Sequence, residues 1–266
     1  MKTFAALSAL AAVLFAGCAK NSTGDFQGYV EGEYVYVASP LGGALTNLAV
    51  ARGDTVKAGQ LLFELERQSE AAALAQAEKN LTLAEANLTL SQNTFNRRTE
   101  LRQAPDGVVS AEELDKARAQ RDADAAQVAA QQAALDKAKW AFDQKQQFAP
   151  ANATVHDTLY RPGEFVAAGS PVAVLLPPEN LKVRFFVPQE ILPQIKIGQT
   201  VSVHCDGAEK DYSAVVNYIS TQAEYTPPVI YSRETRAELV FMIEAKISAA
   251  DSPNVRPGQP ADVRLN

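Results

Sequence analysis

Cysteine is almost missing from this chain of 266 residues, which has two, Cys18 and Cys205. Only Cys205 lies in the body of the sequence, and one thiol cannot make an internal disulfide, so no covalent staple is expected. Histidine is as scarce, with His156 and His204 alone. "HCD", His204 to Asp206, lacks the ligands of a zinc site, and neighbours on a strand point to opposite faces. Cys205 then shares a face with Val203, toward the core. No serine constellation faces His156 and Asp157. No phosphate-binding loop is present, so any ATP hydrolysis belongs to a partner. The single tryptophan, Trp140, is expected to pack rather than to bind a ligand. Clustered positive charge is missing too. The net charge is −6 and the pI near 5.1, with lysines and arginines scattered, which argues against nucleic acid as a partner. The sequence reads as a protein that is not an enzyme and holds no metal or cofactor.

Long apolar runs are also lacking. The N-terminal one, Phe4 to Ala16, falls short of the roughly 20 residues of a spanning helix. It follows Lys2 and precedes small residues and Cys18, the order of a bacterial export signal. Its end, "LFAGC", resembles a lipobox, with Phe15 where leucine is commoner. Cleavage removes residues 1–17 and leaves Cys18 as a lipidated N-terminus. An ordinary signal with an incidental cysteine is the alternative. Ala19 stands after the cysteine, not the aspartate that retains many enterobacterial lipoproteins at the inner membrane. The expected location is nevertheless the periplasm of a Gram-negative bacterium, lipid-anchored at that membrane.

What the sequence does contain is a repeat. Residues 38–65, "ASPLGGALTNLAVARGDTVKAGQLLFEL", align without gaps on 148–175, "FAPANATVHDTLYRPGEFVAAGSPVAVL", at an offset of 110. Gly53 meets Gly163, Val56 meets Val166, Gly59 meets Gly169 and Leu65 meets Leu175. Each copy reads as short strands between glycine turns. Two such halves, each with one apolar face, can close into a flattened β-sandwich.

Between the copies glycine and proline vanish from Gln68 to Gln103. Leu74, Leu81, Leu88 and Phe95 fall seven apart, with Ala77, Ala84 and Ser91 three beyond the first three, a heptad seam. "APDG" ends this helix, and Ser110 with Glu113 forms a capping box that opens a second. Leu114, Val128, Leu135 and Phe142 continue the period, with Arg121 breaking it. The pattern predicts two antiparallel helices of about 36 residues each, roughly 54 Å long. The outer faces are polar and read as solvated; a compact bundle folded back on the sandwich is the alternative. From Leu181 onward come short strands, "LKVRFFVP", "QTVSVHC", "SAVVNYIS", "AELVFMIEAKI" and "ADVRLN", with "PQEILPQI" as a short helix. "IKIGQTVSV" and "VRPGQPADV" resemble one another, as paired strands of a small antiparallel barrel would.

The fold class is therefore α+β and elongated: a split lipoyl-like sandwich, interrupted by a coiled-coil hairpin and followed by a small barrel. The boundaries are 1–17 signal, 18–31 linker, 32–67 first half, 68–148 hairpin, 149–178 second half and 179–266 barrel.

"GDTVKAGQLLFELE" resembles half of a lipoyl-type carrier domain. In a carrier the modified lysine sits at the turn between the halves, which here holds the coiled coil. Lys57 lies in a glycine turn without the carrier's motif, so a lipoyl or biotinyl carrier remains only an alternative. The whole order of parts resembles the HlyD-like membrane-fusion family, the periplasmic adaptors of tripartite efflux pumps and type I secretion systems. The segments that carry the resemblance are "GGALTNLAVARGDTVKAGQLLFELE", "RPGEFVAAGSPV" and "VRPGQPADVRL". The resemblance implies a hairpin tip that meets a TolC-like outer-membrane channel, a barrel that meets an inner-membrane transporter, and a homo-hexamer. The family's tip motif maps onto Arg97, Leu101 and Ser110, although Ser110 lies nine residues beyond Leu101 where the family has seven. "AEYTPPVIYSRETRAELVFMIEAKI" looks like the barrel of adaptors that serve ABC exporters. The absence of a further membrane-proximal domain implies the same partner, an ABC permease and its ATPase, with an RND pump as the alternative. An envelope scaffold lipoprotein without transport is the remaining reading. The exported substrate is not written in the sequence.

Overall fold

The 110-residue offset is visible as matched hydrogen bonds. In the computed structural model, which describes residues 25–208, 210–225, 239–251 and 254–265, Gly53 N donates to Val155 O and Gly163 N to Leu45 O, both at 2.8 Å. Val155 N returns to Asp54 O as Leu45 N returns to Glu164 O. Each turn is closed by its own carboxylate: Ala51 N donates to Asp54 Oδ2 and Arg161 N to Glu164 Oε2. The signal peptide expected over 1–17 and the lipidation expected at Cys18 lie outside the described residues.

The chain divides into two units, Tyr34–Pro177 and the remainder. In the first, the strands are β2 (Val35–Ala38), β3 (Gly43–Leu48), β4 (Thr55–Val56), β5 (Leu61–Leu65), β6 (Gln146–Phe148), β7 (Ala153–Thr158), β8 (Phe165–Val166) and β9 (Pro171–Leu176). They form two four-stranded sheets, ordered β2-β9-β7-β4 and β6-β5-β3-β8. The inner pair of each sheet comes from one half of the repeat and both edge strands from the other. Neither half can complete a sheet alone. The shared core holds Leu45, Val56, Leu62, Phe63 and Leu65 of one half against Val155, Val166, Val172 and Leu175 of the other. Helices α1 (Gln68–Gln103) and α2 (Ala111–Asp143) lie between the halves. The second is 33 residues, shorter than the expected 36, because the capping box starts it at Ala111 and the chain leaves it at Gln144 to join β6. β5 runs into α1 and β6 follows α2, and these strands are paired through Glu64↔Gln146 and Leu61↔Phe148. The hairpin thus grows out of a two-stranded ribbon.

The other unit is a closed antiparallel barrel. Its strands are β1 (Asp25–Gly32), β10 (Leu181–Pro188), β11 (Thr200–Cys205), β12 (Tyr212–Tyr225), β13 (Leu239–Ile247) and β14 (Pro260–Leu265), in the order β1-β10-β13-β12-β11-β14. This corrects the linker expected over 18–31: from Asp25 onward that stretch is a barrel strand, paired with both β10 and β14. "DFQGYVEG" hides its inward face, Phe26, Gly28 and Val30, behind a glycine. A Cβ at Gly28 would stand 2.3 Å from Arg184 O, so the two strands approach where only glycine fits. Cys205 is fully buried beside Val203, and burial raises its thiol pKa. "PQEILPQI" contributes a single 3-10 turn at Leu192–Gln194. The resemblance of "IKIGQTVSV" to "VRPGQPADV" is one turn used twice: Gly198 N donates to Val216 O and Gly258 N to Val30 O, each at 2.8 Å.

A charged ladder crosses the outer face of β1, β10 and β13. Lys182 Nζ donates to Glu244 Oε2 at 2.8 Å and to Glu33, while Arg184 bonds Glu244 Oε1 at 2.8 Å and pairs with Glu31 at 2.7 Å. Burial alone would raise the Glu244 pKa, but its hydrogen bonds to Lys182 and Arg184 outweigh that and hold it below the ordinary value of 4.5. Burial likewise opposes the Lys182 charge, and its carboxylate partners reverse the balance.

Gly53 and Gly163 have φ of 93° and 96°, and a Cβ added at either would meet nothing within 4 Å. Alanine there meets backbone strain and no clash. Gly53→Ala and Gly163→Ala should each cost about 1–2 kcal/mol, and similar amounts, in urea unfolding. The Glu244 contribution is complete above about pH 4.5 and is lost as pH falls through its depressed folded-state value. The melting temperature of the native chain should therefore drop between pH 5 and 3. Glu244→Gln should start lower at pH 7 and fall less steeply.

Candidate functional site: the hairpin, its tip and its root

The seam of the hairpin is thin. Ala77, Ala84 and Ser91 of α1 and Ala117 of α2 are its buried positions, and Leu74, Leu81, Leu88, Leu114, Val128 and Leu135 are half-buried beside them. Arg121, which breaks the leucine series, stays on the seam and stacks its guanidinium 4.6 Å over the Phe95 ring. The small residues let one side of the seam open into a groove of 410 Å³ lined by Asn87, Leu90, Ser91, Thr94, Ala117, Gln120 and Asp124.

At the tip, α1 ends before Pro105 and the chain turns through Gly107 with φ 38°. Ser110 forms the expected capping box. Its hydroxyl accepts from Glu113 N at 3.2 Å, and Glu113 Oε2 accepts from Ser110 N at 3.0 Å. The Ser110 N–H, and the Ser110 hydroxyl 3.0 Å from the same carboxylate oxygen, lower the Glu113 pKa. Of the three residues mapped from the family motif, Arg97 and Leu101 lie four apart on one exposed face of the last turns of α1. Ser110 is across the loop and occupied as a cap. The residues that tie the tip together are others. Arg98 Nη1 donates to Glu113 O at 2.9 Å, and Arg102 Nη1 reaches Val109 O at 3.5 Å. The consecutive arginines Arg97 and Arg98 look alike in sequence, and only heptad phase separates the outward one from the inward one. Val108 stands 70% exposed at the loop.

The root is built differently. Arg67, just before α1, lies 4.6 Å over the ring of Phe142, the last seam residue of α2. Ser39, with no exposure at all, donates its hydroxyl to Gln144 O at 2.8 Å. Lys145 is buried, with Nζ 2.8 Å from Gly42 O and 3.0 Å from Glu70 Oε1. Trp140 is half exposed, which corrects the expectation that it packs. It sits opposite the seam, two residues before Phe142. His156 stacks against Tyr34 with ring centroids 4.3 Å apart. His204 Nδ1 lies 2.8 Å from Asp211 Oδ1 on an exposed face. Among the described residues no group of three or more His, Cys, Asp or Glu is placed to hold a metal, and no helix is long and apolar enough to cross a membrane.

Residues 72–145 match the family model described as "RND MFP, alpha-helical hairpin domain". The chain is 28% identical to a UPF0194 membrane protein of Enterobacter sp. strain 638 over 279 residues, covering 85% of this chain and 83% of the relative. It is 28% identical to the UPF0194 membrane protein YbhG of Salmonella typhimurium, covering 90% and 87%. Among solved structures, the membrane fusion protein Spr0693 of Streptococcus pneumoniae R6 superposes with a TM-score of 0.66 at 18% identity, over 90% of this chain and 97% of that one. MacA of Actinobacillus actinomycetemcomitans gives 0.62 at 17% identity, over 91% and 77%. The chain thus has the fold of the membrane-fusion proteins, and the hairpin that presents its tip matches the helical hairpin domain of that family.

Proposed function

We propose that this chain is a periplasmic adaptor of an efflux or secretion system, linking an inner-membrane exporter to a TolC-like outer-membrane channel. The observation that carries the reading is the hairpin itself. Two helices of 36 and 33 residues, roughly 50 Å long, end in a tip pinned by Arg98, Arg102 and the capping box, with Arg97 and Leu101 left exposed. A pinned tip that offers an arginine, a leucine and Val108 to solvent is a contact surface rather than a core. The outer-membrane channel is its proposed partner. The exporter is proposed to be ABC-type, on the likeness of "AEYTPPVIYSRETRAELVFMIEAKI" to barrels of that subfamily; residues 226–238 of it lie outside the described ones. An RND pump is the rival, and the description of the matching hairpin family names RND. ATP dependence against proton dependence of export separates the two. Lipidation at Cys18 is part of the proposal, tested by fatty-acid labelling of the native chain and of Cys18→Ala.

Assembly into a homo-hexamer is also proposed: the number rests on the family resemblance, and the two flanks of the hairpin support head-to-tail contact between copies. One flank carries Leu83 and Leu90, each more than 60% exposed, with Arg97, Lys116 and Lys137 and the groove beside them. The other carries Glu78, Glu85, Asp115, Asp122 and Asp136, with Arg118 and Lys139. A leucine-bearing flank with basic residues set against an acidic one would be a head-to-tail contact, the kind from which rings are built when the rotation between copies closes.

Leu101→Glu should abolish export in a strain that lacks the native copy while leaving the melting temperature unchanged. Ser110→Ala should lose about 1 kcal/mol by removal of the cap, whereas Ser110→Asp keeps the cap. If Ser110→Asp exports as well as the native chain, Ser110 acts by capping and not by touching the channel. Leu90→Glu should shift cross-linked oligomers toward monomer; unchanged oligomers would remove that flank from the assembly.

A further inference from the structure

Lys145 is a charged residue without a surface. Its backbone lies where α2 gives way to β6, and its carbonyl accepts from Leu65 N at 2.8 Å. Its side chain is 5% exposed and runs toward the start of the first half. There the ammonium meets Gly42 O of the sandwich and Glu70 Oε1 in the first turn of α1. Gly43 forms the wall of this socket: a Cβ there would stand 3.2 Å from the Lys145 Nζ. One lysine thus touches three things at once: the end of α2 through its own backbone, the beginning of α1 through Glu70, and the sandwich through Gly42. Ser39 adds a second tie on the same side, holding Gln144 O.

The hairpin needs such a fixture. Alternate positions of its seam are alanine, serine or polar, so the apolar layer between the helices is thin and does little to set the direction of the pair on the sandwich. A helix pair of roughly 50 Å acts as a lever, and a swing of about 5° at the root carries the tip some 4 Å. A charge withdrawn from water is held in one place by its partners, because any motion away from them leaves it unpaired. An apolar contact of the same size slides at little cost.

We infer that Lys145, Glu70 and the Gly42–Gly43 socket form a root lock that fixes the direction of the hairpin on the sandwich, with Lys145 as its positioning residue. The inference rests on the adaptor reading only for its consequence in export; the lock itself is a property of the unit Tyr34–Pro177.

The test is a distance distribution in the full chain, between nitroxide labels at Thr55 and Val108 introduced as unnatural amino acids, which leaves both cysteines in place. The native chain should give one narrow distance. Lys145→Met, Glu70→Ala and Gly43→Ala should each broaden it at least twofold. Gly43→Ala disturbs the socket while both charges remain, so it decides the matter if Lys145→Met fails to fold. The native width should be the same in 0.1 and 1 M salt, since a buried pair is poorly screened. Unchanged widths in Glu70→Ala and Gly43→Ala would overturn the lock. Export measured on the same variants reads the other claim: broadening with export intact supports the lock and counts against the adaptor reading.

Discussion

Everything in the sandwich and its hairpin hangs on the inability of either half-sandwich to cover its own apolar face. Each half supplies two inner strands to one sheet and both edges to the other, so the core that buries Phe63 and Leu65 exists only when Val155, Val166 and Leu175 arrive from the far side of the hairpin. At about 25 cal/mol per Å² of apolar surface removed from water, that closure dominates the stability of the unit. It also settles where the helices go. Because β5 and β6 must pair to complete a sheet, the end of β5 and the start of β6 are brought side by side, and a helical insertion between them has both feet on one ribbon.

The sandwich is therefore a mount, and its chemistry is that of turns. The same four-residue device occurs at Lys57–Gln60, Lys196–Gln199 and Arg256–Gln259. In each, a glutamine side chain accepts from the backbone N–H three residues earlier, around a glycine with positive φ. The sandwich and the barrel, unlike in topology, are cornered by one solution to the problem of reversing a strand. The hairpin follows a different rule. Its long-range order comes from heptad phase, with leucine, valine and phenylalanine alternating along the seam with alanine, serine and polar residues.

Much of this was legible in the sequence. The repeat was readable because turn glycines recur at a fixed offset, and the helices because glycine and proline disappear between Gln68 and Gln103. The capping box at Ser110 and Glu113 was readable as a local motif, and the structure shows both of its bonds. The inward orientation of Cys205 followed from strand alternation. What escaped were long-range features. Asp25 to Glu31 falls within the expected linker because Gly28 interrupts its alternation, and its strand character is conferred by partners far along the chain, in β10 and β14. Lys145 and Glu70 stand apart in sequence, at the far ends of the two helices. Nothing local tells that they face each other across the root, since the folding back of the hairpin alone brings them together. Trp140, expected to pack rather than to bind a ligand, is half exposed because its heptad position lies away from the seam.

The placement of β1 has a consequence for how the chain is made. Asp25 bonds Arg264, 239 residues further on, and β1 is closed on one side by β10 and on the other by β14. The sandwich and hairpin can close as soon as residue 177 is available, but the barrel has to wait for β14. Until then β1 presents an unpaired edge, with Phe26 and Val30 uncovered, for nearly the whole time in which these strands are synthesised. Losing β14 would therefore leave the sandwich its own core and open one edge of β1 while β10 still pairs the other, so that closure of the barrel depends on the last of its described strands.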